Sequence, residues 1–145
     1  MAREIIQDLD DRFRALHAER LSLLHGLDAN AIYDDNGHGP GESLLRSASA
    51  VEQLAGGITV RLWDDPFEWT LPEQLSTKEK ISEHFDVVEA SRLRAFAHLK
   101  DDSDLEKLIP APEELRPLGD VIRDALALSI GHLERAAELA GRSID

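Results

Sequence analysis

The chain has 145 residues, with 42% hydrophobic and 31% charged side chains and no cysteine, a mixture typical of one globular domain over residues 1–145. The missing cysteine excludes disulfide bonds, thiolate metal sites and cysteine nucleophiles. The net charge of −13, from 29 acidic and 16 basic side chains, argues against binding to nucleic acids and to anionic membranes, because both would repel the protein.

The first predicted helix runs from about Ala2 to Leu27. One row of side chains recurs at alternating steps of three and four residues, the spacing of a helix face that packs against neighbours. We call such a row the seam of its helix. This seam carries one polar residue, Arg20, among six apolar ones: Ile6, Leu9, Phe13, Leu16, Leu23 and Leu27. A loop follows from about Asp28 to Gly41, since glycine and proline oppose helix there.

The second predicted helix covers about Glu42 to Trp63. Its seam is wholly apolar: Leu44, Ala48, Val51, Ala55, Ile58 and Leu62. Glu52 lies one step off this seam and is close enough to point inward. The pair Gly56-Gly57 weakens the helix locally and favours the close approach of a neighbouring element.

Residues 63–73 contain both tryptophans, two prolines and a phenylalanine. The segment is too irregular for a helix and too apolar for a free linker. It therefore predicts an ordered crossover loop between the second and third helices, held on the bundle by Trp63, Phe67 and Trp69.

The third predicted helix runs from about Thr77 to Lys100. Ser76 and Glu79 have the spacing of a capping box, with Ser76 as the N-cap. An arginine, Arg92, again interrupts an apolar seam, which consists of Ile81, Phe85, Val88, Ala95 and Leu99.

A loop is expected from about Asp101 to Glu114, and a fourth helix from Pro117 to about Ala140, with Gly141 as its stop. The predicted seam of this helix places His132 among apolar residues: Leu118, Val121, Ala125, Leu128 and Leu139, with Ala136 beside them. No strand pattern competes with the helical periods. The sequence thus predicts an all-α fold, an antiparallel four-helix bundle.

The N-terminal sequence and the hydropathy of the chain predict its cellular compartment. The N-terminal residues are of mixed charge and do not form an apolar run, so we expect no secretory signal. No stretch approaches the length of a membrane-spanning helix. We therefore expect a cytoplasmic protein with no membrane partner.

The candidate chemistry lies in the polar residues that the helices turn inward. No phosphate-binding loop, dinucleotide fingerprint or zinc-binding His-Glu-x-x-His helix is present. His132 is the best single histidine, and Glu52, Arg20 and Arg92 should reach the same interior. Because a buried charge is costly unless it is paired, the arginines should pair with each other, with Glu52, with His132 or with a bound anion. The alternative is that their stems are buried while their heads reach water.

Two segments, residues 43–65 and 126–141, together with the four-helix pattern, resemble the DinB/YfiT-like superfamily of metalloenzymes. In that family the second helix often carries a metal-binding histidine in a His-Leu-Ala context, and Gln53-Leu54-Ala55 occupies this place here. The last helix of the family usually carries two histidines four residues apart. His132 matches one of them, while Leu128 and Ala136 stand at the flanking positions.

The resemblance implies a metal-dependent enzyme that acts on a small molecule, as a thiol S-transferase or a hydrolase. A divalent ion (Zn, Ni, Mn or Fe) would be held by His132, Glu52 and Gln53 and would lower the pKa of a bound thiol or water. The family name refers to induction by DNA damage in bacteria, which suggests a stress-response role.

The alternative hypothesis is a non-catalytic bundle with a degenerate metal site. Its interior would then hold a small anion against Arg20 and Arg92, or the protein would serve as a structural component. A homodimer is expected under both hypotheses.

Overall fold

The computed structural model describes residues 2–60, 63, 66–69, 74–110 and 114–141, without the side chains of 68 and 69. Four helices in these ranges pack against one another: α1 (Glu4–Gly26), α2 (Pro40–Val60), α3 (Lys78–Phe96) and α4 (Leu118–Leu139). None of them is both long and apolar enough to cross a lipid bilayer. The prediction of four packed helices is therefore confirmed.

The connections contain short ordered elements. Where the connections are described they include three 3₁₀ turns: Ala29–Ala31, Pro66–Trp69 and Asp102–Glu106. An antiparallel hairpin of two strands, β1 (Leu108–Pro110) and β2 (Leu115–Pro117), precedes α4. The sequence did not predict this short hairpin, although the fold of the described residues is mostly helical, as expected. Each strand has only three residues and ends in proline, so neither carries a recognisable period.

Contacts near both ends of α1 and α3 show that these helices are antiparallel. Arg92 near the end of α3 binds Asp10 in the first half of α1. Lys78 at the start of α3 donates to the carbonyl of His25 at the end of α1.

α2 is antiparallel to α4 and parallel to α3. Ser47 in the first half of α2 bonds to Ser129 in the second half of α4. By contrast, the C-terminal halves of α2 and α3 line one common cleft. The antiparallel arrangement expected from the sequence thus holds for α1–α3 and α2–α4, while α2 and α3 need a long crossover to run side by side.

The described parts of this crossover lie along α2. The Trp63 ring packs against Gly57, and Phe67 lies under the Arg46 guanidinium, 4.0 Å from its carbon to the ring centroid. Leu75 then accepts a hydrogen bond from the Tyr33 hydroxyl at 2.7 Å, near the start of α2. Trp63 and Phe67 both pack against the core. The predicted anchoring by the Trp69 side chain, and residues 70–73, lie outside the described residues.

The predicted seams of α1 and α3 are buried almost as expected. All six seam residues of the third helix are buried, including Arg92. In α1 the only change is that Leu24 is buried in place of Leu23, which is partly exposed.

The predicted seam of the fourth helix is wrong beyond its first two turns. The structure buries Leu126, Ser129 and Leu133, whereas Leu128 is 53% exposed and His132 is only partly buried. The apolar pattern favoured Leu128 over its polar neighbour. Ser129 is buried nevertheless, because its hydroxyl finds partners on other helices.

Several helix ends also differ from the prediction. α2 begins at Pro40 within the predicted loop, because proline suits the first helical turn. The N-cap of α3 is Thr77, whose side chain accepts from the Lys80 amide, and not Ser76. α3 ends at Phe96, before its predicted end at Lys100, and the last described helical residue of α2 is Val60.

Residues that follow α3 complete the first turn of α1. The Asp102 carboxylate accepts hydrogen bonds from the Ile5 and Ile6 amides at 3.1 and 3.0 Å. Arg3 donates to the carbonyls of Leu99 and Lys100. A carboxylate at this position also interacts favourably with the helix dipole.

The glycines allow a direct test of the packing between α2 and the crossover. A Cβ at Gly57 would lie 2.3 Å from carbon atoms of the Trp63 ring, whereas a Cβ at Gly131 would meet nothing within 4 Å. We expect Gly57→Ala to lower the free energy of unfolding by about 1–3 kcal/mol, because the indole must move. Gly131→Ala should raise it by about 0.5–1 kcal/mol. Urea unfolding followed by circular dichroism measures both, and equal effects would contradict this packing.

Candidate functional site

Arg92 is fully buried and is neutralised by two carboxylates. Its Nε and Nη2 donate to the two oxygens of Glu89 at 2.7 and 3.1 Å, and its Nη1 donates to Asp10 at 2.7 Å. Burial alone would raise the pKa of Asp10, but hydrogen bonds from Arg14 and Arg92 lower it. The guanidinium also lies 4.9 Å from the ring centroid of Phe96. Arg92 therefore joins α3 to α1.

Arg20 is 1% exposed and lies where α1 meets α2 and α4. Its Nη1 donates to the hydroxyls of Ser47 and Ser129 at 3.3 and 3.1 Å, and its buried Nε has no partner in the described structure. Each serine also donates to the backbone carbonyl of the other, at 2.8 and 2.7 Å. Burial lowers the pKa of Arg20 to about 10, although the nearby Glu89 opposes the shift.

These contacts decide between the two hypotheses for the seam arginines. Neither head reaches water, so the hypothesis that the stems alone are buried is wrong for Arg20 and Arg92. The carboxylate partners of Arg92 are Glu89 and Asp10, which the sequence did not single out. The use of either arginine as a ligand-binding group stays a prediction.

A cleft of about 550 Å³ opens on the outer side of the contact between α2 and α3. The α2 side presents Glu52, Gln53 and Thr59, and the α3 side presents Ser91, Arg94 and His98. Its other lining residues are small or apolar: Ala55, Gly56, Val60 and Pro66. A concave site with a few convergent polar groups on an apolar floor is typical of a small-molecule site.

Glu52 contributes a partly buried carboxyl group to this cleft. Its side chain is partly buried and makes no hydrogen bond or ion pair with any residue that the structure describes. Burial alone raises the pKa of its carboxyl group. An unpaired carboxyl of this kind in a cleft costs stability and is a candidate functional group.

Two cationic or titratable groups face the same space. Arg94 is exposed and donates to the Ser91 hydroxyl at 3.0 Å, and His98 is exposed at the end of the cleft. In the described part of the chain neither side chain is ion-paired. The cleft therefore combines one unpaired carboxyl group with a free guanidinium and an imidazole.

The structure brings together only part of the predicted metal site. Glu52 and Gln53 both line the cleft, although the Gln53 amide already donates to the Trp63 carbonyl at 2.7 Å. His132 lies on α4 and does not belong to the described lining of this cleft. In residues 2–60, 63, 66–69, 74–110 and 114–141 no three histidine or carboxylate side chains are placed to share a metal ion. The described residues therefore do not fit the metal site that the family resemblance implies.

Arg94 and His98 are site residues that sequence reasoning did not select. Ser91 and Arg94 lie three residues apart on one face of α3, and His98 follows in the turn after the helix. That spacing is visible in the sequence. The sequence does not show that these residues face the same cleft as Glu52, because this follows only from the parallel arrangement of α2 and α3.

Comparison with known proteins adds no neighbour: no family model, curated protein or solved structure matches the chain.

Replacement of Arg92 tests the buried ion network. Arg92→Met leaves Glu89 and Asp10 without their buried partner, and we expect the free energy of unfolding to fall by about 3–5 kcal/mol. The matched control is Arg12→Met, which breaks the mostly exposed Arg12–Asp8 pair on α1 and should have little effect. Chemical unfolding of both variants provides the measurement. Comparable losses would show that Arg92 is not the tie between α1 and α3.

The unpaired Glu52 predicts a gain of stability when its charge is removed. Because its pKa is higher in the folded state than in the unfolded state, Glu52 lowers the stability increasingly as the pH rises from the unfolded pKa through the folded one. Glu52→Gln should therefore raise Tm near pH 7 and leave it nearly unchanged near pH 4. Thermal unfolding over this range measures the difference.

The control for this change is Glu134→Gln, at an exposed position on α4. It alters the net charge equally without removing a buried group. A pH-dependent gain of the same size in both variants would mean that net charge, and not the burial of Glu52, is responsible.

Proposed function

We propose that the chain binds a small zwitterionic molecule, carrying both an amino and an acidic group, in the cleft between α2 and α3. The single observation that supports this most strongly is that Glu52 is partly buried there without a described partner, in one cleft with Arg94 and His98. Both halves of such a ligand would find a complementary group.

The amino group of the ligand would meet Glu52. Burial of a carboxylate is unfavourable unless an opposite charge or a hydrogen-bond donor compensates it. A ligand ammonium would supply both and would bring the pKa of Glu52 back down. Gln53 keeps its side-chain oxygen available beside Glu52, since its amide nitrogen is the group bonded to Trp63.

The acidic group of the ligand would meet Arg94 and His98. Guanidinium groups bind carboxylates and phosphates through paired hydrogen bonds. Ser91 already bonds to Arg94, which restricts the directions that the guanidinium can take. The Arg94 guanidinium also favours an anionic group at this position on a chain whose net charge is −13.

The proposal concerns binding and does not include a metal-assisted step, because the described residues offer no suitable set of ligands. It keeps the small-molecule ligand of the sequence hypothesis but assigns it to the outer cleft, and not to the interior beside Arg20 and Arg92. Membership of the DinB/YfiT-like superfamily stays a prediction from sequence.

The test is a titration with small amino acids of different charge separation: glycine, β-alanine and γ-aminobutyrate. Acetate and ethylamine serve as probes that carry only one of the two charges. Backbone amide shifts of isotopically labelled protein should change along α2 and α3 with the zwitterions, at millimolar concentrations or below. The single-charge probes should bind at least tenfold more weakly.

Two variants identify the groups. Glu52→Gln and Arg94→Ala should each weaken zwitterion binding about tenfold, the equivalent of one lost charge-assisted hydrogen bond. Glu134→Gln should not change it. If zwitterions cause no shifts in α2 and α3, or if Glu52→Gln binds them as well as the natural chain does, the proposal is wrong.

A further inference from the structure

A second cavity, of about 340 Å³, lies between the end of α2, the segment after α3 and the hairpin. Most of the described residues that line it are apolar, among them Gly57, Ile58, Trp63, Leu108, Ile109 and Leu118. His98, Lys100, Asp104 and Lys107 add polar groups. This volume is near the lower end of the range for ligand sites.

Two of the charged residues of this cavity neutralise each other. Lys107 forms an ion pair with Asp104 at 2.7 Å, and the second oxygen of Asp104 accepts from the backbone amide of Lys100. The ammonium of Lys100 is exposed and is the one charged group of the described lining that forms no ion pair. The chemistry of the cavity otherwise suits an apolar group.

His98 lines both spaces, so the cleft and the cavity adjoin at its side chain. The two spaces also adjoin on α2, because Gly56 lines the cleft and the next two residues, Gly57 and Ile58, line the cavity. One ligand can therefore extend from the polar space into the apolar one.

The distance along α2 from Glu52 to the far end of the cleft sets the minimum length of such a ligand. Glu52 and Thr59 both line the cleft, and seven residues of α-helix span about 10 Å. A molecule whose amino group binds Glu52 must be elongated to reach beyond His98.

We infer that the ligand is an elongated amphipathic amino acid, whose polar head lies in the cleft at Glu52 and whose apolar tail lies in the cavity under the hairpin. This inference rests on the proposed function for the head group of the ligand. It adds that the rest of the ligand is an apolar chain. The enclosing apolar walls would remove the tail from water, and the hydrophobic effect would supply affinity that the open cleft cannot.

The hairpin offers a matched pair of variants. Leu108 and Leu115 are 62% and 65% exposed and lie on the two strands of the hairpin. Only Leu108 belongs to the described lining of the cavity. Because both are exposed, replacement by aspartate should leave the fold intact, which the Tm of each variant verifies.

The experiment is a titration with 2-amino acids of increasing chain length: alanine, 2-aminohexanoate, 2-aminooctanoate and 2-aminodecanoate. Decanoate serves as the probe that has the tail without the amino group. Binding is followed by calorimetry and by the emission of Trp63 in a Trp69→Phe background, since these are the two tryptophans of the chain.

We expect the affinity to rise about fourfold for each added methylene until the cavity is filled. Leu108→Asp should abolish this rise, with at least a tenfold loss for the longest acid, and should leave alanine binding unchanged. Leu115→Asp should behave like the natural chain. Emission of Trp63 should change with the long acids and not with alanine.

The possible failures are distinguishable. If alanine binds in a Glu52-dependent manner but chain length has no effect, the inference about the tail is overturned and the proposed function stands. If decanoate and 2-aminodecanoate bind equally and Glu52→Gln changes neither, the head-group proposal fails, and with it the inference of one bipartite ligand.

Discussion

The reciprocal hydrogen bonds between Ser47 and Ser129 hold α2 against α4, and the arrangement of the other helices depends on this contact. Each hydroxyl donates to the carbonyl of the opposite residue, which only small side chains allow at such close approach. Arg20 binds both hydroxyls from α1. The two hydroxyls and the Nη1 of Arg20 are therefore buried with partners, and three helices are held together at one level of the bundle.

The cleft between α2 and α3 results from the different partners to which these two helices are bonded. Arg92 ties α3 to α1 through Asp10, whereas the polar ties of α2 run to α4 and α1. α2 and α3 meet along their buried rows without a comparable polar tie in the described residues. On the outer side of that contact their surfaces diverge, and Glu52 and Arg94 face a shared space that no described side chain fills.

The sequence predicted the helices well and their assembly only in part. Periodicity located the buried rows of α1 and α3, including both arginines, because a polar residue in an otherwise apolar row is still carried inward by its neighbours. It failed in α4, where Ser129 replaces the more apolar Leu128 in the core, since hydrogen bonds across helices leave no periodic signal. The cleft could not be found either, because Glu52 and His98 are 46 positions apart in the chain and line one cleft only because the crossover sets α2 and α3 side by side.

The first turn of α1 depends for its hydrogen bonds on residues that are translated much later. Its amides and Arg3 bind to groups between Leu99 and Asp102, which lie about two thirds of the way along the chain. During synthesis α1 is translated before the other three helices, yet these partners follow only after α3 has been completed. Contacts so distant in sequence slow folding, because a long loop must close before they form. The first turn of α1 is thus among the last parts of this fold to be secured, at the same end of the bundle that the hairpin covers.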